Sequence, residues 1–140
     1  RVHVESWSGK GLVKNYGGPV PSVDPFPVYF NRTVAINPNL IYDFSAFEPD
    51  AVVINLGTND YSTTPVPSQQ VFEEAYHTFL NVIRSAYSDN MIFFLVCGPM
   101  SSSYQSCPYV SQVAESEDNT YYIDMQNILT DDEFGVSKTL

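Results

Sequence analysis

An α/β fold built on a parallel sheet is what this sequence predicts, and three observations predict it. "AVVINL" (51–56) and "MIFFLV" (91–96) are continuously apolar, the mark of strands covered on both faces. Between them, in "SQQVFEEAYHTFLNVIRSAY" (68–87), Val71, Phe72, Ala75, Tyr76, Phe79, Leu80, Ile83, Ala86 and Tyr87 recur at helical spacing. Strand, crossover helix and strand within so short a span make a βαβ unit, and a βαβ unit makes a parallel sheet.

The elements follow in chain order. "RVHVES" alternates apolar and polar residues and reads as a strand with Val2 and Val4 on one face, broken by Gly9 and Gly11. From Tyr16 to Asn39 the density of Pro and Gly argues against a long regular element, although "FPVYFNRTVA" has room for a short strand or turn. Phe26, Tyr29 and Phe30 make this an ordered loop, since such rings pack. Ser68 is the expected N-cap of the long helix, and "TYYID" (120–124) is the expected third strand. With 140 residues and 44% hydrophobic content the chain closes one core, so residues 1–140 are expected to form a single domain. The sequence shows no internal repeat.

Charge narrows the partners. Sixteen acidic against six basic residues give a formal net charge of −10, which repels phosphate backbones and anionic headgroups, so neither nucleic acid nor a membrane surface is expected. The longest apolar run, Met91 to Cys97, falls far short of the roughly 20 residues a membrane-spanning helix needs. Cys97 and Cys107 flank "GPMSSSYQS", and both a disulfide and two reduced core cysteines are open at this point. Asn31-Arg32-Thr33 is an N-glycosylation sequon in a polar region. Together these features favour an extracellular, secreted protein. The opening "RVHVES" has neither initiator methionine nor signal segment, as expected of a mature product, an excised domain or an incomplete chain. Asp124, Asp131, Asp132 and Glu133 form an acidic patch without the spacing of a calcium loop or a zinc set, and "SGKG" lacks the rest of a phosphate loop. No metal and no cofactor is expected.

In open α/β sheets the ligand site lies beyond the carboxyl ends of the strands. Gly57-Thr58-Asn59-Asp60 follows one such end, Gly98-Pro99-Met100 another, and Ser8-Gly9-Lys10-Gly11 follows the expected first strand. A backbone N–H freed by glycine and an asparagine carboxamide are neutral donors of the kind that stabilise an oxyanion. Ordinary turn chemistry accounts for an isolated G-x-N-D equally well.

The wider pattern resembles a known family. "LGTND" after a buried strand, "SGKGLVKNYGG" upstream, "FPVYFNRT" between them and "CGPM" downstream resemble the SGNH (GDSL-type) hydrolases, most closely the family 2 carbohydrate esterases, from His3 to about Asp132. The resemblance implies a three-layer α/β sandwich with a central parallel sheet. It also implies a serine hydrolase that removes O-acetyl groups from a sugar or polysaccharide. Gly9, with Gly11 as fallback, would offer its N–H and Asn59 its carboxamide to the oxyanion. Gly57 and Asp60 would support the Asn59 loop, and Trp7 and Tyr61 are candidates for a sugar-binding wall, although core packing is the commoner fate of such rings.

Two family blocks are absent from the 140 residues. The nucleophilic serine belongs to a Gly-Asp-Ser block on a first strand upstream of Arg1, and the histidine belongs to a block that would begin where this chain reads "FGVSKTL". Ser6 and Ser8 lie near the expected donors, but a nucleophile needs a base within about 3 Å. His3 and His77 are the only histidines. His77, beside Glu73 and Glu74, reads as a salt-linked surface residue, and His3 sits out of phase with Val2 and Val4. Further segments of the same polypeptide, or a protein partner, would have to complete the site. The alternatives are a noncatalytic structural or glycan-binding subunit on the same scaffold and a small-ligand-binding α/β domain.

Overall fold

The computed structural model describes residues 1–100, 105–126 and 128. Three strands, β1 (Ala51–Ile54), β2 (Ile92–Cys97) and β3 (Thr120–Asp124), form one sheet in the order β1-β2-β3. All pairings are parallel, and Val53, Phe94 and Tyr121 stand side by side in register. Between β1 and β2 come a single-turn helix α1 (Thr58–Tyr61) and the long helix α2 (Gln69–Ala86), and α3 (Cys107–Ser116) joins β2 to β3. Ser68 caps α2 as expected, its hydroxyl accepting the N–H of Val71. Sequence reading missed α3, although Pro108 in its first turn and buried Val110, Val113 and Ala114 give it a short helical stripe.

One face of the sheet carries Val52, Ile54, Phe93, Leu95 and Tyr122, which join Phe72, Tyr76, Phe79, Leu80 and Ile83 of α2 and Val110 and Val113 of α3 in the core. Right-handed crossovers running in one direction along the sheet put both helices on that face. The other face carries Val53, Ile92, Phe94, Tyr121 and Ile123, with Val53 66% exposed. Its apolar character is that of a sheet covered on both sides, as a three-layer arrangement requires; sheet and one helical layer are seen among the described residues.

Residues 1–6 correct the expected strand: the segment has no strand assignment, and Val2 and Val4 face outward, 84% and 76% exposed. The odd positions find the partners instead. The Arg1 guanidinium lies 4.8 Å over the Phe47 ring, and the His3 ring packs at 5.3 Å on Tyr42 and 5.5 Å on Phe47. The following loop is ordered by 3-10 turns at Phe26–Val28 and Phe44–Ala46 and by one bridge, Arg32 to Ile41. Phe26 and Phe30 meet Phe79 edge to face, tying the loop to α2.

Cys97 and Cys107 form a disulfide with Cα atoms 5.3 Å apart, linking the end of β2 to the start of α3. The predicted partners of His77 need correction. Glu73 and Glu74 accept from Gln69 and Gln70, whereas His77 Nδ1 meets Glu117 Oε1 at 2.5 Å. The other Glu117 oxygen accepts from Arg84 at 2.6 Å, so one carboxylate ties α2 to the α3–β3 connection.

Candidate active site

The site is assembled by Asp60. Gly57 ends the run after β1 at φ +127°, and a Cβ there would lie 2.7 Å from Ser106 Oγ, so the turn into α1 requires glycine. This turn buries the Asp60 side chain completely. Oδ2 of Asp60 accepts the N–H of Leu12 at 2.9 Å, and Oδ1 accepts those of Val13 at 2.7 Å and Lys14 at 2.8 Å. Burial pushes the Asp60 carboxyl above its ordinary value, opposed by the N–H groups of Lys14, Val13 and Leu12. Gly11 permits the close approach: a Cβ there would meet Lys14 O at 2.1 Å and Asp60 Oδ2 at 2.5 Å.

With the two loops tied together, Asn59 reaches the first of them. Its Nδ2 donates to Lys10 O at 2.8 Å, which leaves the second carboxamide N–H for another acceptor. Gly9, one residue away, has φ +79° and nothing within 4 Å of where a Cβ would be. Its N–H has no hydrogen-bond partner among the described residues. Gly11 differs on each point, being buried with its N–H donating to Asn15 Oδ1 at 3.3 Å.

The third loop follows β2, where the Gly98 carbonyl accepts from Asn55 Nδ2 at 2.9 Å. Two of the three loops therefore sit at strand ends as expected. The Ser8–Gly11 loop follows no strand among the described residues; Asp60 holds the residues just after it, 12 to 14.

Tyr61 also requires correction, since it is only 7% exposed and packs edge to face on Phe72 at 5.3 Å. It is a core ring; burial, with Tyr109, Asp60 and Glu73 nearby, pushes its hydroxyl up. Trp7 is different: it is 39% exposed, with its ring 4.8 Å from that of Tyr29. Neither histidine approaches a serine among the hydrogen bonds of the described residues, His3 pairing with Glu5 at 3.4 Å. Asp124 accepts the N–H of Gln126, while Asp131, Asp132 and Glu133 lie outside the described residues. Among the described residues no three His, Cys, Asp or Glu side chains gather as metal ligands.

Sequence reading also missed Asp24. It accepts from Lys10, Asn15 and Tyr29, contacts made across a proline-rich loop with no periodicity to reveal them.

A parallel sheet with polar loops at its carboxyl edge defines the class, an α/β domain. The chain belongs to the GDSL-like lipase/acylhydrolase family, whose model matches residues 7–137. It is similar to the cellulase/esterase CelE of Acetivibrio thermocellus, 41% identical over 97 residues that cover 68% of this chain and 11% of that protein. An acetylxylan esterase/glucomannan deacetylase of Cellvibrio japonicus is 29% identical over 93 residues, covering 62% of this chain and 25% of that one. Among solved structures, a family two carbohydrate esterase from Clostridium thermocellum in complex with cellohexaose superposes with a TM-score of 0.75 at 30% identity, covering 86% of this chain and 38% of that one. The chain thus spans a quarter or less of the length of these two curated relatives.

Proposed function

We propose that this chain carries the oxyanion-binding part of a carbohydrate O-acetyl esterase acting outside the cell. The observation that carries the reading is the joining of the two loops: Asp60 fixes residues 12–14, Asn59 donates to Lys10, and the Gly9 N–H is left open beside them. In the reaction a serine Oγ bonds to the acetyl carbonyl carbon, its proton passes to a histidine, and the carbonyl oxygen becomes an anion. Gly9 N–H and the second Asn59 N–H are suited to receive that anion, being neutral donors that need no protonation change. The serine and the histidine would come from flanking segments of the polypeptide. Exposed Trp7 is suited to stacking on a sugar ring. The complex of the esterase relative with cellohexaose favours a β-glucan-like or related acetylated chain as substrate. The Cys97–Cys107 disulfide and the exposed sequon at Asn31 agree with secretion.

The test is acetate release. The polypeptide carrying both flanking blocks is expected to deacetylate acetylated xylan or cello-oligosaccharides, whereas residues 1–140 alone release none. Binding of the same glycans without acetate release from the longer polypeptide would favour the noncatalytic reading.

A further inference from the structure

We propose that Asp24 is a positioning residue that holds the oxyanion loop through Lys10 and Asn15. The inference rests on the esterase reading above. Asp24 Oδ2 accepts Lys10 Nζ at 2.6 Å and the Tyr29 hydroxyl at 2.7 Å, and Oδ1 accepts Asn15 Nδ2 at 2.8 Å. Its main-chain carbonyl accepts from the same two side chains, Lys10 at 3.0 Å and Asn15 at 3.2 Å. Each of those side chains leads to the donor loop. Lys10 is the residue whose carbonyl receives Asn59 Nδ2, and Asn15 Oδ1 receives the N–H of Gly11. A single carboxylate therefore ties down the chain on both sides of the Lys10–Gly11 peptide.

The contact is more than a solvated ion pair. The Lys10 side chain is only 12% exposed, against 49% for Asp24. Its ammonium sits 4.8 Å from the Tyr29 ring centre and 5.7 Å from that of Trp7, so the lysine is enclosed by an anion and two ring faces. Hydrogen bonding from Lys10, and then from Tyr29, holds the Asp24 carboxyl below the usual carboxylate range.

Gly9 has no side chain; its carbonyl accepts the Tyr16 N–H at 2.9 Å and the Lys10 N–H reaches Trp7 O at 3.3 Å, so the direction of its N–H is set by this turn and by what holds the residues after it. Asp60 secures positions 12 to 14, and Asp24 secures positions 10 and 11. The same arrangement selects the rotamer of Asn59, because a fixed Lys10 carbonyl attracts Nδ2 and directs the remaining N–H outward. The backbone bonds from Lys10 N–H to Trp7 O and from Tyr16 N–H to Gly9 O remain when Asp24 is lost, but the Lys10 and Asn15 side chains no longer fix the loop, and both donors lose part of their aim.

The experiment uses the polypeptide with both flanking blocks and compares Asp24→Asn, Lys10→Met, the double variant and Asn59→Ala. Expected are roughly tenfold losses in kcat for Asp24→Asn and for Lys10→Met with KM within about twofold, and a double variant no worse than either of these two, as residues acting through one contact behave. By NMR, the Gly9 N–H and Asn59 carboxamide resonances shift in Asp24→Asn and Lys10→Met, while the Val13 N–H held by Asp60 stays in place. This readout needs no turnover. Should Asp24→Asn fail to fold, Lys10→Met carries both measurements. Unmoved Gly9 and Asn59 resonances overturn the proposal, as do losses that multiply in the double variant. If Asn59→Ala is crippled while Asp24→Asn and Lys10→Met keep full kcat, the positioning role fails and the oxyanion reading stands. If Asn59→Ala turns over normally, the oxyanion reading fails.

Discussion

Asn59→Ala, made in the polypeptide that carries both flanking blocks, lowers kcat for acetyl-ester hydrolysis by about two orders of magnitude and leaves KM nearly unchanged. The split follows from when the contact forms. A ground-state carbonyl oxygen is weakly polarised, whereas the tetrahedral oxyanion is fully charged, so the lost N–H matters mainly at the transition state. Removing one such donor costs about 3 to 4 kcal/mol there. The fold survives, because Asn59 is only partly buried and its side chain makes a single hydrogen bond among the described residues, to Lys10 O, worth about 1 kcal/mol. Steady-state kinetics with a melting curve check both halves, and unchanged turnover removes Asn59 from the mechanism.

Asp60→Ala has the larger effect on stability. Three buried N–H groups, those of Leu12, Val13 and Lys14, lose their acceptor together. Each orphaned donor costs about 1 to 3 kcal/mol, and the three share one site, so the expected loss is about 4 kcal/mol, not the full sum. Asp60→Asn is milder. A carboxamide oxygen in the place of Oδ1 still receives Val13 and Lys14, but its NH₂ then faces the Leu12 N–H, one donor against another. About 2 kcal/mol is expected for that variant. Urea unfolding of both variants checks the order; equal stability of Asp60→Ala and the parent contradicts the role assigned to Asp60.

The βαβ unit was legible because its signals are local: two unbroken apolar strands, a helical stripe between them and Ser68 at the cap. α3 escaped because it is short and begins at a disulfide cysteine after a serine-rich stretch of sequence. The N-terminal segment misled for a different reason. Its alternation is real, but Arg1 and His3 meet Phe47 and Tyr42, and the valines are turned out. Tyr61 was ambiguous in sequence, and Phe72, eleven positions along the chain, decided it for the core.

The candidate site divides along the same line. Gly57 and Asn59 were visible as a turn with polar side chains after a buried strand. That Asp60 binds three N–H groups more than forty positions upstream is a tertiary fact with no periodic trace. The resemblance already put Gly9 before Gly11; what the sequence does not show is that the Gly11 N–H is engaged with Asn15. Asp24 and Lys10 are separated by a loop whose course is set by hydrogen bonds to Asp60 and Ser22, beyond the reach of any pattern rule.

The most direct test is a crystal structure of the polypeptide with both flanking blocks, its serine trapped by a phosphonate that mimics the tetrahedral intermediate. The phosphonyl oxygen is predicted to lie about 3 Å from both Gly9 N and Asn59 Nδ2. An oxygen turned to other donors, with Gly9 and Asn59 making no contact to the trapped group, would contradict the account.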